Sequence, residues 1–283
     1  MKNIFYLFLL MIIVDNAVDA QVQVNAGWNM IGAITTIQAS AVITVPPGII
    51  VSPFYGFNTG SGYYVATTLQ MGQGYWVKVN GAGIINGFVP AWQCGFPISY
   101  EYKYYGTVQI GTQCWFKENL DVGEMIPGSQ NQQNNLVIEK YCYDDNETNC
   151  QLYGGLYQWD EAMQYVTNEG AQGICPPGWH IPTLAEFQTL SAYVGGDGNA
   201  LKAVGQGTGD GAGTNSSGFS ALLAGNRGLD GGFYNLGGYT YFWSSSEYPA
   251  STAYTLRLGY GNSIVDLNLH NKEYGFSVRC VKD

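Results

Sequence analysis

The chain has 283 residues, enough for one large or two ordinary domains, and 46% of them are apolar, which suffices for a packed core. Only 11% are charged, against roughly 25% in a typical soluble domain, whereas 39 glycines and 22 tyrosines give the turn-rich, aromatic composition of extracellular β-rich modules. The net charge of −10 argues against nucleic acid and anionic membrane surfaces as partners, because both would be repelled.

The chain opens with MKNIFYLFLLMIIVDNAVDAQ. Lys2 supplies a minimal positive start, and Ile4 to Val14 is an apolar run too short to span a bilayer. Val18 and Ala20 are small residues at −3 and −1 of a cut before Gln21. Residues 1–20 therefore read as a secretory signal peptide. No cysteine follows the cut, which speaks against a lipid anchor, and no second apolar run is long enough to insert in a membrane. The expected location is secreted or cell-surface.

Residues 21–92 read as a small all-β module. GWNMIGA opens it, GYWVKV nearly closes it, and β-branched runs such as AVITV alternate with turns such as NTGSG. YWVKVN alternates as a half-buried strand does. QCGFPIS, residues 93–99, is expected to be a linker.

Residues 100–283 have mixed character. YYGTVQIGTQCWF predicts two strands about a glycine turn. YGGLYQWDEAMQY predicts a helix, with Leu156, Trp159 and Met163 on one face. A second helix is predicted from Thr183, an N-cap with Glu186 three residues on, the capping-box pattern. Leu184, Phe187, Leu190 and Val194 form its apolar stripe. The glycine-rich stretch from about 195 to 240 reads as loop, and AYTLRL, SIVDLNL and GFSVRCV read as closing strands.

Six cysteines follow the signal, an even count that favours disulfides in an exported chain. Cys142 and Cys150 flank a short polar loop and are expected to close it. Cys175 precedes the capped helix and Cys280 lies in the last strand; a bond between them would tie the middle of the domain to its end. Cys94 and Cys114 are left as a third pair or as two free thiols.

GTQCWFKENL, YGGLYQWDEAM, GICPPGWHIPTLAEF, GTNSSGFSALLAGNR, YFWSSSE and GFSVRCVKD occur in that order. Together they resemble the Fibrobacter succinogenes major paralogous domain, found in exported proteins of Bacteroidetes and Fibrobacteres, over residues 100–283. The resemblance implies an α+β, C-type-lectin-like domain with two helices, small twisted antiparallel sheets and long loops. It implies no enzymatic activity. The Glu-Pro-Asn, Gln-Pro-Asp and Trp-Asn-Asp triplets of calcium-dependent lectins do not occur here. GWNMIG…GYWVKV resembles a β module attached to surface proteins of such bacteria.

Motifs for chemistry are sparse. There is no H-E-x-x-H, G-x-S-x-G, C-x-x-C or phosphate-binding glycine loop, and only two histidines, His180 and His270, could serve a triad. His180, beside a helix cap, reads as structural. In SIVDLNLHN, Asp266, Asn268 and His270 share one strand face, but Asp266 and His270 lie about 13 Å apart, too far to chelate one ion on a straight strand. The tip from Asp144 to Asn149 is oxygen-rich but lacks calcium-loop spacing. The strongest signal is the tyrosine and asparagine content of the last stretch, since both residue types suit recognition surfaces. Tyr254, in step with Leu256 and Leu258, is expected to point inward.

The expected function is an exported, non-catalytic module that binds a glycan or a surface protein. Its candidate ligand residues are Tyr239, Tyr241, Glu247, Tyr248, Arg257, Tyr260, Asn262, Asp266, Asn268, His270 and Asn271. No cofactor and no metal is expected. Alternatives are a structural or adhesive surface component, a variable protein of a diversity-generating retroelement (the resemblance suggested by WSSSEY…GFSVRCV), and a copper-assisted cysteine oxidase if Cys94 and Cys114 were free.

Overall fold

A computed structural model describes residues 21–33, 36–86, 88–90, 94–248 and 250–283. The expected signal peptide lies outside the described residues. The chain divides into two compact units, 1–93 and 94–283.

In the first unit, strands Phe88–Pro90, Gly27–Ala33, Gly74–Val79, Phe54–Asn58 and Gly62–Ala66 form a five-stranded antiparallel sheet in that spatial order. GYWVKV alternates as its pattern requires: Tyr75, Val77 and Val79 are buried, Trp76 and Lys78 are not. The buried side joins Ile31, Phe54, Leu69 and Ile85 in one core. Burying each such aliphatic side chain contributes about 1.5–3 kcal/mol.

The second unit is built around a sheet in the order Phe233–Leu236, Ala224–Arg227, Tyr239–Glu247, Thr252–Gly259, Asp266–Asn271. Both faces are packed. Phe242, Leu256 and Leu258 meet Phe187, Leu190, Trp115 and Phe219. Tyr241, Trp243 and Ala253 belong instead to a core with Tyr157, Trp159, Phe276 and Val278. A smaller sheet pairs Thr107–Ile110 with Gln113–Phe116, then Val281–Lys282, then Trp179–His180.

The α+β, lectin-like class expected from the resemblance is corrected here: the chain is mostly β. Among the described residues the α-helices are short, Glu147–Tyr153, Trp159–Ala162, Leu184–Tyr193 and Gly198–Leu201. The helix expected over YGGLYQWDEAMQY shrinks to about one turn for a physical reason. Leu156 and Tyr157 bridge to Tyr141 and Phe276, which commits their backbone groups to extended partners. Gln164 and Tyr165 then adopt φ of 51° and 59°, which ends the turn. Leu156, Trp159 and Met163 are nonetheless all buried. The indole of Trp159 donates to the Ser244 carbonyl at 2.8 Å and that of Trp243 to the Tyr157 carbonyl at 2.7 Å, so this turn is bolted to the central strand from both sides.

GICPPGWHIPTLAEF acts as a clamp. Gly173 takes φ of 53°, and a Cβ there would meet the Ala162 carbonyl at 2.3 Å. Trp179 and Ile181 are buried. Thr183 caps Leu184–Tyr193 with both halves of the capping box formed. Cys175 bonds Cys280 across a separation of 105 residues, Cys142 bonds Cys150, and Cys94 bonds Cys114. No cysteine is free, which removes the thiol pair a copper-assisted oxidase would need. The Cys94–Cys114 bond and the strand Ile98–Tyr100 also place most of the expected linker within the second unit.

Among the described residues three buried cations, Lys202, Arg227 and Arg279, form no ion pair with a carboxylate. Arg279 is 1% exposed; its guanidinium reaches the Asn119 side-chain oxygen and the Phe219 carbonyl, and lies over the Phe219 ring at 4.4 Å. Burial pushes its pKa down to about 9. Lys202, fully buried, donates to the carbonyls of Gly211, Gly259 and Asn262. These contacts pin the loop after Gly259 to the segment around Gly211.

His180 lies between two acids, Nδ1 2.7 Å from Asp283 and Nε2 2.9 Å from Glu186. Burial alone would lower its pKa, but these hydrogen bonds outweigh burial and raise it above the ordinary 6.5. Burial alone would raise Glu186, but the contacts with His180 and the Thr183 N–H outweigh burial and lower it. The His180 contribution is full below its ordinary pKa and is lost as pH rises through the raised one. The Glu186 contribution is full above its ordinary pKa and is lost as pH falls through the lowered one.

Stability supplied by this cluster is therefore expected to peak between about pH 4.5 and 6.5. His180→Gln should flatten the decline on the alkaline side; urea midpoints measured across that range and above it check both points. Replacing Cys175 and Cys280 together by serine should cost about 2–5 kcal/mol, read from the shift of the same unfolding curves.

Candidate functional site

Antiparallel register decides which of the candidate residues can act together. Tyr239 faces Gly259, Tyr241 faces Arg257, Arg257 faces Asp266, Thr255 faces Asn268, and Ala253 faces His270. Directly paired residues project from the same side of a sheet. Tyr239, Tyr241, Arg257, Asp266, Asn268 and His270 therefore share one face of the three strands Tyr239–Glu247, Thr252–Gly259 and Asp266–Asn271.

The face is organised by its own contacts. Arg257 and Asp266 form an ion pair at 2.5 Å, with side chains 38% and 25% exposed. The Arg257 guanidinium lies over the Tyr239 ring at 5.4 Å. Asn268 donates its amide to Asp266 at 3.1 Å, which leaves its carbonyl oxygen directed away from that carboxylate. His270 Nδ1 is 3.0 Å from the Thr255 hydroxyl, and the ring stands edge-on to Tyr241 and Phe276, 5.3 Å from each. Burial, then the Arg257 charge, lowers its pKa, which favours the neutral imidazole. Tyr241 stacks on Phe276 at 4.5 Å, and Tyr274 stacks on the same ring at 5.4 Å.

Tyr241 and the remaining candidates play other parts. Tyr241 itself is buried and forms the floor of the face, and burial raises its pKa. Glu247 is engaged by Lys272, whose ammonium also sits 3.7 Å above the Trp159 ring. Tyr248 is exposed at one end of the hairpin, Tyr260 and Asn262 at the other. Asn271 is in register with Thr252 on the opposite face, and its side chain accepts from the Glu273 N–H at 2.9 Å, a turn-forming role. Tyr254 is half-buried, in step with buried Leu256 and Leu258.

Tyr274, one of the tyrosines of the recognition-rich last stretch, completes the face with Thr255 and Phe276, which the sequence did not single out. Tyr274 and Phe276 are two residues apart, a spacing that in an extended segment puts both rings on one side. A concavity of about 320 Å³ lies away from the face, lined by Lys103, Lys117, Glu118, Asn119 and Arg279 among others. Among the described residues no group of three or more His, Cys, Asp or Glu side chains is placed to hold a metal ion.

The family model of the Fibrobacter succinogenes major domain matches residues 108–282, which include every strand of this face. The chain belongs to the Fibrobacter succinogenes major domain family. No curated protein and no solved structure matches it, so the lectin-like architecture gains no support from either comparison. Membership suggests a surface or secreted domain, and the three disulfides are consistent with an extracellular protein. Among the described residues no helix is long and apolar enough to cross a membrane.

In this Fibrobacter succinogenes major domain the three strands offer the Tyr239 ring, one cation, one carboxylate and one amide, and Tyr274 just beyond them adds a second ring. His270 is tied to Thr255 and is depressed by Arg257. Arg257→Met is expected to raise the His270 pKa, since it removes a repelling charge and leaves Asp266 unpaired nearby. An NMR titration of the two histidines checks the direction; an unchanged or lowered value contradicts the geometry.

Proposed function

We propose that the protein is an exported, non-catalytic binding module whose second unit takes a protein ligand on the face of Tyr239, Arg257, Asp266, Asn268 and Tyr274. The observation that carries this reading is the register, which gathers six scattered candidates into one patch. The chemistry favours protein over glycan. A paired but half-exposed Arg257 and Asp266 offer both signs of charge to a partner's own charged groups. Tyrosine and asparagine around them suit adaptable protein recognition, with large contact area at low entropic cost. His270, hydrogen-bonded to Thr255, orders the floor of the face.

Surface proteins from the native cell envelope should be retained by the full chain on a column. Tyr239→Ala and Arg257→Ala should each weaken retention about tenfold or more, as expected of interface anchors. A glycan array run alongside separates the alternatives. Glycan binding lost on the same substitutions would transfer the site to sugars. Silence in both assays from folded protein would end the proposal.

A further inference from the structure

The first unit carries a surface of different chemistry. Between Gln21 and Gln93 the sequence has one charged side chain, Lys78, and no acid at all. Its five-stranded sheet buries one side. The other side presents Trp28, Phe57, Tyr63 and Trp76, which are 53%, 60%, 66% and 36% exposed. Register brings them together: Trp76 is beside Met30 and Tyr55, Phe57 is beside Tyr63, and Trp28 is beside Lys78. Four neighbouring strands contribute, so the rings extend over about 14 Å across the sheet.

These rings do not close on one another. Trp28 and Tyr55 are 5.8 Å apart and tilted by 59°, Phe57 and Tyr63 5.2 Å apart at 65°. Contacts of this kind cover each ring only in part, in keeping with the exposure of Trp28, Phe57, Tyr63 and Trp76. Trp28, Tyr55, Tyr63 and Trp76 line a concavity of about 570 Å³, in the size range of ligand sites. On the reverse side, a Cβ at Gly56 would lie 2.4 Å from the Tyr64 ring, so that tyrosine covers the strand from behind while Tyr55 and Phe57 face outward.

Charge selects the occupant. A single ammonium cannot hold a polyanion, whose binding rests on many cationic contacts. No carboxylate lies between Gln21 and Gln93, so a basic partner would form no ion pair there and would meet only the rings. The occupant is therefore neutral. It is also not purely aliphatic, because the tyrosine hydroxyls and indole N–H groups at the ring margins would be covered without partners. A sugar chain meets both conditions: its C–H faces lie on aromatic rings and its hydroxyls reach the polar tips. We propose that this aromatic face binds a neutral polysaccharide, several sugar rings lying along the row from Trp28 to Tyr63. This site is independent of the protein-binding face of the second unit.

Affinity electrophoresis of the full chain tests it, in gels containing hydroxyethylcellulose, galactomannan or amylose, with alginate as an anionic control. At least one neutral gel should retard the protein and alginate should not. Trp28→Ala and Trp76→Ala should each weaken retardation about tenfold, the scale of one lost stacking contact. Tyr239→Ala, in the other unit, should leave it unchanged. Should Trp76→Ala fail to fold by circular dichroism, Tyr63→Ala at a more exposed position reads the same loss. The proposal is overturned if no neutral gel retards the chain, if alginate retards it more, or if retardation survives both tryptophan substitutions. It is also overturned if sedimentation shows a dimer that Trp76→Ala dissociates, since a second copy would then be the occupant.

Discussion

The second unit depends on one short segment, Phe276 to Lys282, that is hydrogen-bonded to nearly everything around it. Phe276 exchanges both backbone bonds with Tyr157. Ser277 bonds the central strand through Tyr241 and Trp243, the Val278 carbonyl accepts from Leu120, and the Cys280 carbonyl accepts from Phe116. Val281 then pairs with both Trp115 and His180. Side chains repeat the pattern, with Arg279 spanning Asn119 and Phe219, and Cys280 bonded to Cys175. The chain's last residues thus join the large sheet, the small sheet and the clamp before the capped helix. In the chain-entropy account, the disulfide alone limits the unfolded chain by about 5 kcal/mol, given so long a loop.

That arrangement also underlies the face proposed to bind a ligand. Phe276 stands beneath both Tyr241 and Tyr274, so the floor of the patch is fixed by the same segment that closes the fold. Side chains already held by packing lose little freedom on binding. The ion pair of Arg257 and Asp266 then sits on a rigid base, with only its outer atoms in water.

Much of this was legible in the sequence where the cause is local. The capping box at Thr183 and Glu186 needs four residues, and it forms as read. The alternation in GYWVKV and the pairing of Cys142 with Cys150 likewise follow from neighbours in the chain. The helix over YGGLYQWDEAMQY was misread because tertiary bridges outcompete a good helical pattern, a contest no local window contains. The strands Ala224–Arg227 and Phe233–Leu236 were hidden by glycine content, since Gly225 fits a spot where a Cβ would meet the Tyr234 carbonyl at 2.5 Å. The candidate face was half legible: alternation put Asp266, Asn268 and His270 together, but only register could add Thr255 and Arg257 and send Asn271 to the other side. The aromatic row of the first unit was missed for the same reason. Its rings come from strands far apart in sequence, and their convergence exists only once those strands pair.

Lys202 carries a consequence of its own. Three backbone carbonyls converge on its ammonium, an arrangement of hard oxygens that loops elsewhere use to hold a bound ion. Here the positive charge is tethered by a covalent stem. It cannot be chelated, exchanged or diluted away, so the loop after Gly259 is held to the segment around Gly211 without a bound ion at that point.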